Sequence, residues 1–364
     1  MKYLTDYWPR FQYHLEPQSG WMNDPNGLVY FNGKYHAFYQ HYPYAPRWGQ
    51  MHWGHAVSED LIHWEHLPIA LYPDREYEND GGCFSGSAVV KDGRLYLFYT
   101  SVSHEMGQTQ SVAWSDDGVH FVKYEGNPMI RENPLHTRDF RDPKVSLIDG
   151  VYYMVLGSGD EDGGKVLLYR SDDLLGWEYL GVLFTDAGSR PAIECPDFFK
   201  LGDKYVLMYS KMNMPDGAAQ FLVGDFLDGK LVNGRHCCPE GGVDFYAPQT
   251  FDAAGRRVMM GWMYHWEKEA PEGCSFAGAM SIPRELTLVD GKVYNFPVEE
   301  ARQLLKKESE FVRAEGNVLK VLDRRGNVWS RELPRIETLD ILEDEKAVEV
   351  FVNGGEWSFS FWVE

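Results

Sequence analysis

The chain has 364 residues, 44% of them hydrophobic and 25% charged, with a formal charge of −20. That composition supports an extensive packed interior and excludes a disordered chain or a small stapled scaffold. The charge disfavours nucleic acid and anionic membrane surfaces as partners and favours a neutral ligand. Twelve Trp, twenty-two Tyr and twenty Phe exceed ordinary packing needs, and surplus rings commonly stack on flat apolar faces such as those of sugars. The cysteines Cys83, Cys195, Cys237, Cys238 and Cys274 form an odd set without CxxC spacing, which argues for thiols in a reducing compartment.

The N-terminal stretch MKYLTDYWPRFQYHLEP lacks the apolar run of a signal peptide, and no window of eighteen apolar residues occurs. A cytoplasmic protein is the expectation. From there to residue 297 helical periodicity is nearly absent. Short alternating apolar and aromatic runs are broken by turn pairs such as Asn32-Gly33, Asp92-Gly93, Asp149-Gly150 and Gly202-Asp203.

One unit recurs through this region. Its hairpins read LVYFNGKYHAFYQ, AVVKDGRLYLFYT, KVSLIDGVYYMVLG, FFKLGDKYVLMYS and QTFDAAGRRVMMGW; their sequels read HAVSEDLIHW, VAWSDDGVHF, LYRSDDLLGW and, more weakly, LVGDFLDGKL. Five copies of a four-strand unit predict an all-β, five-bladed β-propeller over residues 1–297. PVEEARQLLKKESEF then predicts a short amphipathic helix in a linker over 298–310. Charged alternating strands over 311–364 predict a small β module that leans on the propeller.

The first strand of a propeller blade is innermost, and its start opens onto the axial cavity. Equivalent positions are Asn23-Asp24-Pro25, Ser85-Gly86-Ser87, Arg141-Asp142-Pro143, Glu194-Cys195-Pro196 and Tyr246-Ala247-Pro248. Three carboxylates thus converge on one cavity. Glycosidic cleavage requires such a set, with one acid to protonate the leaving oxygen and one carboxylate to attack or to activate water. Calcium binding is the rival use, but the acids are dispersed rather than spaced as in a calcium loop.

The motifs WMNDPNG (Trp21 to Gly27), FSGSA (Phe84 to Ala88), RDP (Arg141 to Pro143), ECPD (Glu194 to Asp197) and FYAPQ (Phe245 to Gln249) resemble, in order and spacing, those of glycoside hydrolase family 32, the invertases and fructanases. The resemblance covers residues 10 to 300. It implies Asp24 as nucleophile, Asp142 as transition-state stabiliser and Glu194 as general acid/base. It also implies sugar contacts from Asn23, Gln40, Trp48, Phe84, Ser85, Arg141, Cys195, Tyr246 and Trp262. The rings of Trp21, Trp48, Trp262 and Trp266 are the candidates for stacking. Arg141 is expected to keep Asp142 ionised, and Arg47 or Lys211 to meet any phosphate at the rim. Family members usually carry a full two-sheet β-sandwich at the C-terminus, and this chain carries a shortened one.

The expected activity is retaining release of terminal non-reducing β-D-fructofuranosyl units from sucrose and short fructo-oligosaccharides, with no cofactor and no metal. Alternatives are a sucrose-6-phosphate hydrolase or exo-fructanase of the same family, an inverting arabinan- or xylan-cleaving propeller, and a carbohydrate-binding propeller without catalysis.

Overall fold

The structure, a computed structural model, describes residues 10–212, 214, 217–237, 239–270 and 272–363. Cys238 lies outside them; Cys83 and Cys195 are unbridged thiols. Five antiparallel sheets carry the inner strands Gly20–Phe31, Gly82–Lys91, Phe140–Ile148, Ile193–Leu201 and Tyr246–Ala253. Each inner strand packs along the next and the fifth packs along the first, which closes a five-bladed propeller.

Local chemistry sets the blade edges. Asn32-Gly33, Asp92-Gly93 and Asp149-Gly150 all have positive φ at both residues, the backbone that two-residue hairpins of this twist require. The Ser-x-Asp sequels form one recurrent turn. The side chains of Asp60, Asp117 and Asp173 each accept two backbone N–H bonds from residues two and three positions on, and each is also held by a serine two residues back.

Period-two alternation then fills the blade junctions. In the second strand of blade four, Leu207 packs with Val155, Leu168 and Phe198 toward blade three, whereas Val206 and Met208 pack with Phe221, Met259 and Leu286 toward blade five. The other junctions have their own buried sets, centred on Trp53 and Leu97, on Phe98 and Met154, and on Tyr39 and Met260. Truncating one such side chain, Phe98→Ala for example, costs roughly 3–5 kcal/mol.

The ring is fastened by a strap from blade five. Phe276–Ala277, in the connection between the second and third strands of that blade, pairs in parallel with Gly20 and Trp21. Beyond Pro297 the chain forms a six-residue 3-10 helix, Glu299–Leu304, shorter than the pattern suggested. The reason is local: the backbone of Lys306 bonds reciprocally with Ile341, at 2.7 and 2.9 Å, which draws the chain out extended.

Two three-stranded sheets follow, Val312–Glu315, Val318–Leu322 and Val328–Glu332 against Leu339–Asp344, Ala347–Val352 and Trp357–Trp362, sharing a core around Leu319, Val321, Val350 and Phe359. A buried charge network ties them to the propeller. Arg284 is fully buried and pairs with Glu240 and Glu349, while His14 bridges Glu349 and Asp344 at 2.8 Å each. No helix among the described residues is long and apolar enough to cross a membrane.

Candidate active site

At one height in all five blades, the register between inner and second strand slips. The slips lie between Met22 and Pro25, Cys83 and Gly86, Glu194 and Asp197, Tyr246 and Gln249, and, in blade three, between Arg141 and Lys144. A bulge releases residues from the ladder and re-aims their side chains, here toward the axis. Proline fits inside a bulge because its missing N–H is not needed by the ladder, which explains Pro143, Pro196 and Pro248. Asp142, Cys195 and Ala247, each just before a proline, take left-handed backbone with φ of 64, 48 and 48°. Gly86 is required where it stands, since a Cβ there would lie 1.9 Å from the carbonyl oxygen of Phe98.

The bulged residues open onto a cavity of about 830 Å³ whose lining includes Asp24, Asp142 and Glu194. Ser85 Oγ donates to Asp24 Oδ2 at 2.6 Å, and Cys195 Sγ lies 3.4 Å from the same oxygen and 3.6 Å from Asp142 Oδ2. The backbone N–H of Cys195 donates to Asp142 Oδ2 at 2.8 Å. Glu194 is held on both oxygens, by Arg141 Nη2 at 3.1 Å and by the hydroxyl of Tyr246. Asp24 Oδ1 is buried without a partner. Below the carboxylates the axis is plugged by bonds between blades, from Ser87 Oγ to Pro143 O of the next blade at 2.7 Å and, across the axis, from Gln249 Nε2 of blade five to Gly86 O of blade two at 2.8 Å.

The electrostatics differ from expectation at Asp142. Burial pushes its carboxyl up to about 7; Arg141 opposes this, while the charges of Glu194 and Asp24 add to it. Arg141 does not hold Asp142 firmly ionised, because its Nε sits 4.0 Å away and its terminal nitrogens are committed to Asp139 and Glu194. Burial works against the Arg141 charge, but Glu194, Asp142 and Asp139 together raise its pKa. Burial lifts the Cys195 thiol and the Tyr246 phenol well above their ordinary values, reinforced by Asp142, Asp24 and Glu194 at Cys195 and by Glu194 and Asp24 at Tyr246.

Asn23, Gln40, Trp48, Phe84, Ser85 and Arg141 line the cavity as expected. Asn23 is oriented by the indole N–H of Trp21 at 2.7 Å, and Gln40 by the carbonyl of Cys83 at 2.9 Å. Tyr246 and Trp262 do not line it. Tyr246 spends its hydroxyl on Glu194, and Trp262 is fully buried beneath Trp266, 5.0 Å between ring centroids. Cys195 sits behind the carboxylates rather than at the surface. Trp21 is buried too, whereas Trp48 and Trp266, 45% and 46% exposed, present their rings. Asp139, Gln108, Arg138 and Met212 also line the cavity. Arg138 and Asp139 precede Arg141 in the connection into blade three, whereas Gln108 and Met212 sit beside hairpin turns that carry no signal. Among the described residues no group of three or more His, Cys, Asp or Glu is arranged to hold a metal ion.

A family model for the glycosyl hydrolases family 32 N-terminal domain matches residues 14–297. The chain belongs to glycosyl hydrolase family 32. It is 44% identical over 322 residues to a sucrose-6-phosphate hydrolase of Escherichia coli, covering 82% of this chain and 66% of that one. Among solved structures, a Bombyx mori GH32 β-fructofuranosidase superposes with a TM-score of 0.83 at 32% identity, covering 97% of this chain and 89% of that one. A sucrose-6-phosphate hydrolase from Lactobacillus gasseri superposes with a TM-score of 0.85 at 27% identity, covering 97% and 88%. The chain spans about two thirds of the length of the curated relatives it matches.

Proposed function

We propose that the chain is a retaining β-fructofuranosidase with residues 1–297 as its catalytic unit, 298–310 as linker and 311–364 as an attached module. The observation that carries this reading is the unequal dress of two carboxylates in one closed-floored cavity. Asp24 keeps one oxygen anchored by Ser85 and one oxygen unpartnered, the state of a nucleophile. Glu194 is positioned by Arg141 and Tyr246, which hold it where an acid/base can give and take a proton.

In the first step Asp24 attacks C2 of the fructosyl ring, the bond to the leaving oxygen breaks, and that oxygen takes the proton of Glu194. In the second, water attacks C2, its proton passes to Glu194, and the ester to Asp24 breaks. Asp142 faces the ring between them. The plugged axis admits a chain end and no chain middle, so action is exo and the products are single fructosyl units. Reaction in methanol–water mixtures tests retention: methyl β-D-fructofuranoside is the expected trapped product, and the α-anomer refutes the assignment.

A second reading concerns the substrate. Two exposed arginines, Arg47 and Arg138, line the cavity and could meet a sugar phosphate, whereas Lys211 is paired with Asp186 at 3.0 Å. The Escherichia coli relative bears the name of a phosphosugar hydrolase. Comparing kcat/KM for sucrose and sucrose 6-phosphate decides; a preference of about a hundredfold for the phosphate, lost on Arg47→Gln or Arg138→Gln, favours the second reading.

A further inference from the structure

The C-terminal sheets reach the wall of the catalytic cavity through one side chain. Trp362 ends the strand Trp357–Trp362, which runs beside the segment that enters blade five, with Gly241 N donating to Ser358 O at 3.0 Å and Asp244 N to Ser360 O at 3.1 Å. Trp362 is buried. From there it holds the loop that follows Trp262 and carries Trp266 to the cavity lining.

Trp266 stands in a tight turn. Lys268 N donates to His265 O at 3.1 Å, which places Trp266 at the second position of the bend. Its half-exposed ring rests on Trp262, 5.0 Å between centroids, and is stacked on Trp21 at 6.1 Å and 26°.

Trp362 holds the turn on both sides. Before Trp266, the indole N–H of Trp362 donates to the carbonyl of Met263 at 2.6 Å, and its ring packs edge-on against Tyr264, 5.2 Å between centroids at 72°. After Trp266, the Lys268 ammonium lies 5.0 Å from the ring centroid of Trp362 and 5.4 Å from that of Tyr264. Asp244 ties the two sides together: its Oδ2 accepts the backbone N–H of Trp362 at 2.7 Å, and its Oδ1 lies 3.6 Å from Lys268 Nζ and 3.8 Å from His265 Nε2. An exposed ring on an untethered loop loses affinity to the ordering that binding demands. A clasp on either side of Trp266 makes that ordering part of folding.

We propose that Trp362 is a positioning residue for substrate recognition: through Met263, Tyr264 and Lys268 it fixes the turn that presents Trp266 to the sugar. The C-terminal sheets thereby set the substrate affinity of a cavity to which they supply no lining residue. The inference rests on the reading of that cavity as a fructoside site. A packing role alone predicts a different result, a lower Tm with KM unchanged.

The test is a double-mutant cycle on the whole chain. Trp362→Phe keeps a ring against Tyr264 and Lys268 and deletes the bond to Met263, while Lys268→Gln, on a side chain that is 22% exposed, opens the other side of the turn. Each is expected to raise KM for sucrose roughly 3- to 10-fold with kcat within about twofold of wild type. Trp266→Ala is expected to raise KM by roughly tenfold, and in that background the effects of Trp362→Phe and Lys268→Gln are expected to vanish. Trp329→Leu is the control: Trp329 packs on Phe359 and Phe361, the opposite face of the same strand, so Tm should fall and KM stay unchanged. A reading independent of turnover comes from 5-fluorotryptophan labelling, in which the fluorine resonance that disappears in Trp266→Phe is expected to shift or broaden in Trp362→Phe and in Lys268→Gln. KM within about twofold of wild type in both clasp variants, effects that persist in the Trp266→Ala background, or an unchanged Trp266 resonance would each overturn the proposal. Failure of the unaltered chain to hydrolyse sucrose and its 6-phosphate would instead refute the fructoside reading, and the Trp266 resonance would still decide the clasp.

Discussion

Replacing Asp142 by Asn separates what this carboxyl does for stability from what it does for chemistry. The folded protein raises its pKa from 3.8 to about 7, chiefly through burial. Between those values the native state binds more protons than the unfolded chain, so stability falls as pH rises. The contribution is fully present below pH 3.8 and is lost as pH climbs through about 7. A shift of about three pH units corresponds to roughly 4 kcal/mol as a ceiling. Asn also gives up the attraction to Arg141, so a gain of roughly 1–4 kcal/mol relative to wild type is expected between pH 4 and pH 8. For 364 residues the unfolding entropy is about 0.8 kcal/mol/K, which makes the relative gain in Tm about 1–5 °C.

The substitution is otherwise mild. Asn tolerates the φ of 64° found at this position and keeps an oxygen for the Cys195 N–H. Differential scanning calorimetry of both proteins across that pH range is the assay, with kcat on sucrose measured in parallel and expected to drop by about 100-fold or more. A Tm difference that is flat with pH, or that moves against the variant as pH rises, refutes the account of Asp142 as a carboxyl destabilised by burial.

Asp24→Ala and Glu194→Ala should each lower turnover by several orders of magnitude with Tm preserved, and Glu194→Ala should recover best on aryl fructosides whose leaving group needs no proton; activity above about a tenth of wild type in either variant removes the role. Ser85→Ala deletes a hydrogen bond of 2.6 Å to Asp24, a contribution of roughly 1.5–3 kcal/mol for a charged partner, so kcat/KM on sucrose should fall roughly 10- to 100-fold; a change within twofold would show that the hydroxyl does not orient the nucleophile. His14 has its pKa raised to about 9 because Asp344 and Glu349 outweigh the burial that opposes its charge. Its contribution to stability is therefore fully present below pH 6.5 and lost as pH rises through about 9, so His14→Gln should destabilise the protein at neutral pH by an amount that shrinks in alkaline thermal scans.

Much of the fold was readable because its determinants are local. Asn32-Gly33 and its counterparts need only their own backbone to turn a hairpin, and Ser58 with Asp60 needs only three further residues to build its turn. Both devices repeat along the chain, so the blades could be numbered and equivalent positions compared. That comparison placed Asp24, Asp142 and Glu194 in one cavity. It also placed Tyr246 there, and the family resemblance placed Trp262 there; depth is where both readings differ from the structure. A repeat reports the height of a residue along the axis; the exposure of its ring depends on what covers it. Trp262 is covered by Trp266 and by the strap through Phe276–Ala277, and both belong to the connection that interrupts blade five.

The charge pairings were illegible for a related reason. Arg141 was read beside Asp142, its neighbour in sequence, yet its terminal nitrogens go to Asp139 and Glu194. Adjacent residues of a bulged strand are turned away from one another, so chain proximity is a poor guide to partnership where the ladder is broken. Arg284 and His14 both reach Glu349, and His14 also Asp344, across the seam between propeller and C-terminal sheets, and no spacing rule joins them. The same logic separates the two ends of the axis. At the catalytic mouth the bulges aim acids inward and Arg141 and Tyr246 answer them. Farther along the axis the strands have returned to regular pairing, and Lys144 reaches Asp197 of the next blade. A residue such as Lys144 reads in sequence as one more charge in the run RDPK; its meaning comes from Asp197 one blade away and Thr250 two blades away, and only closure of the ring brings those into contact.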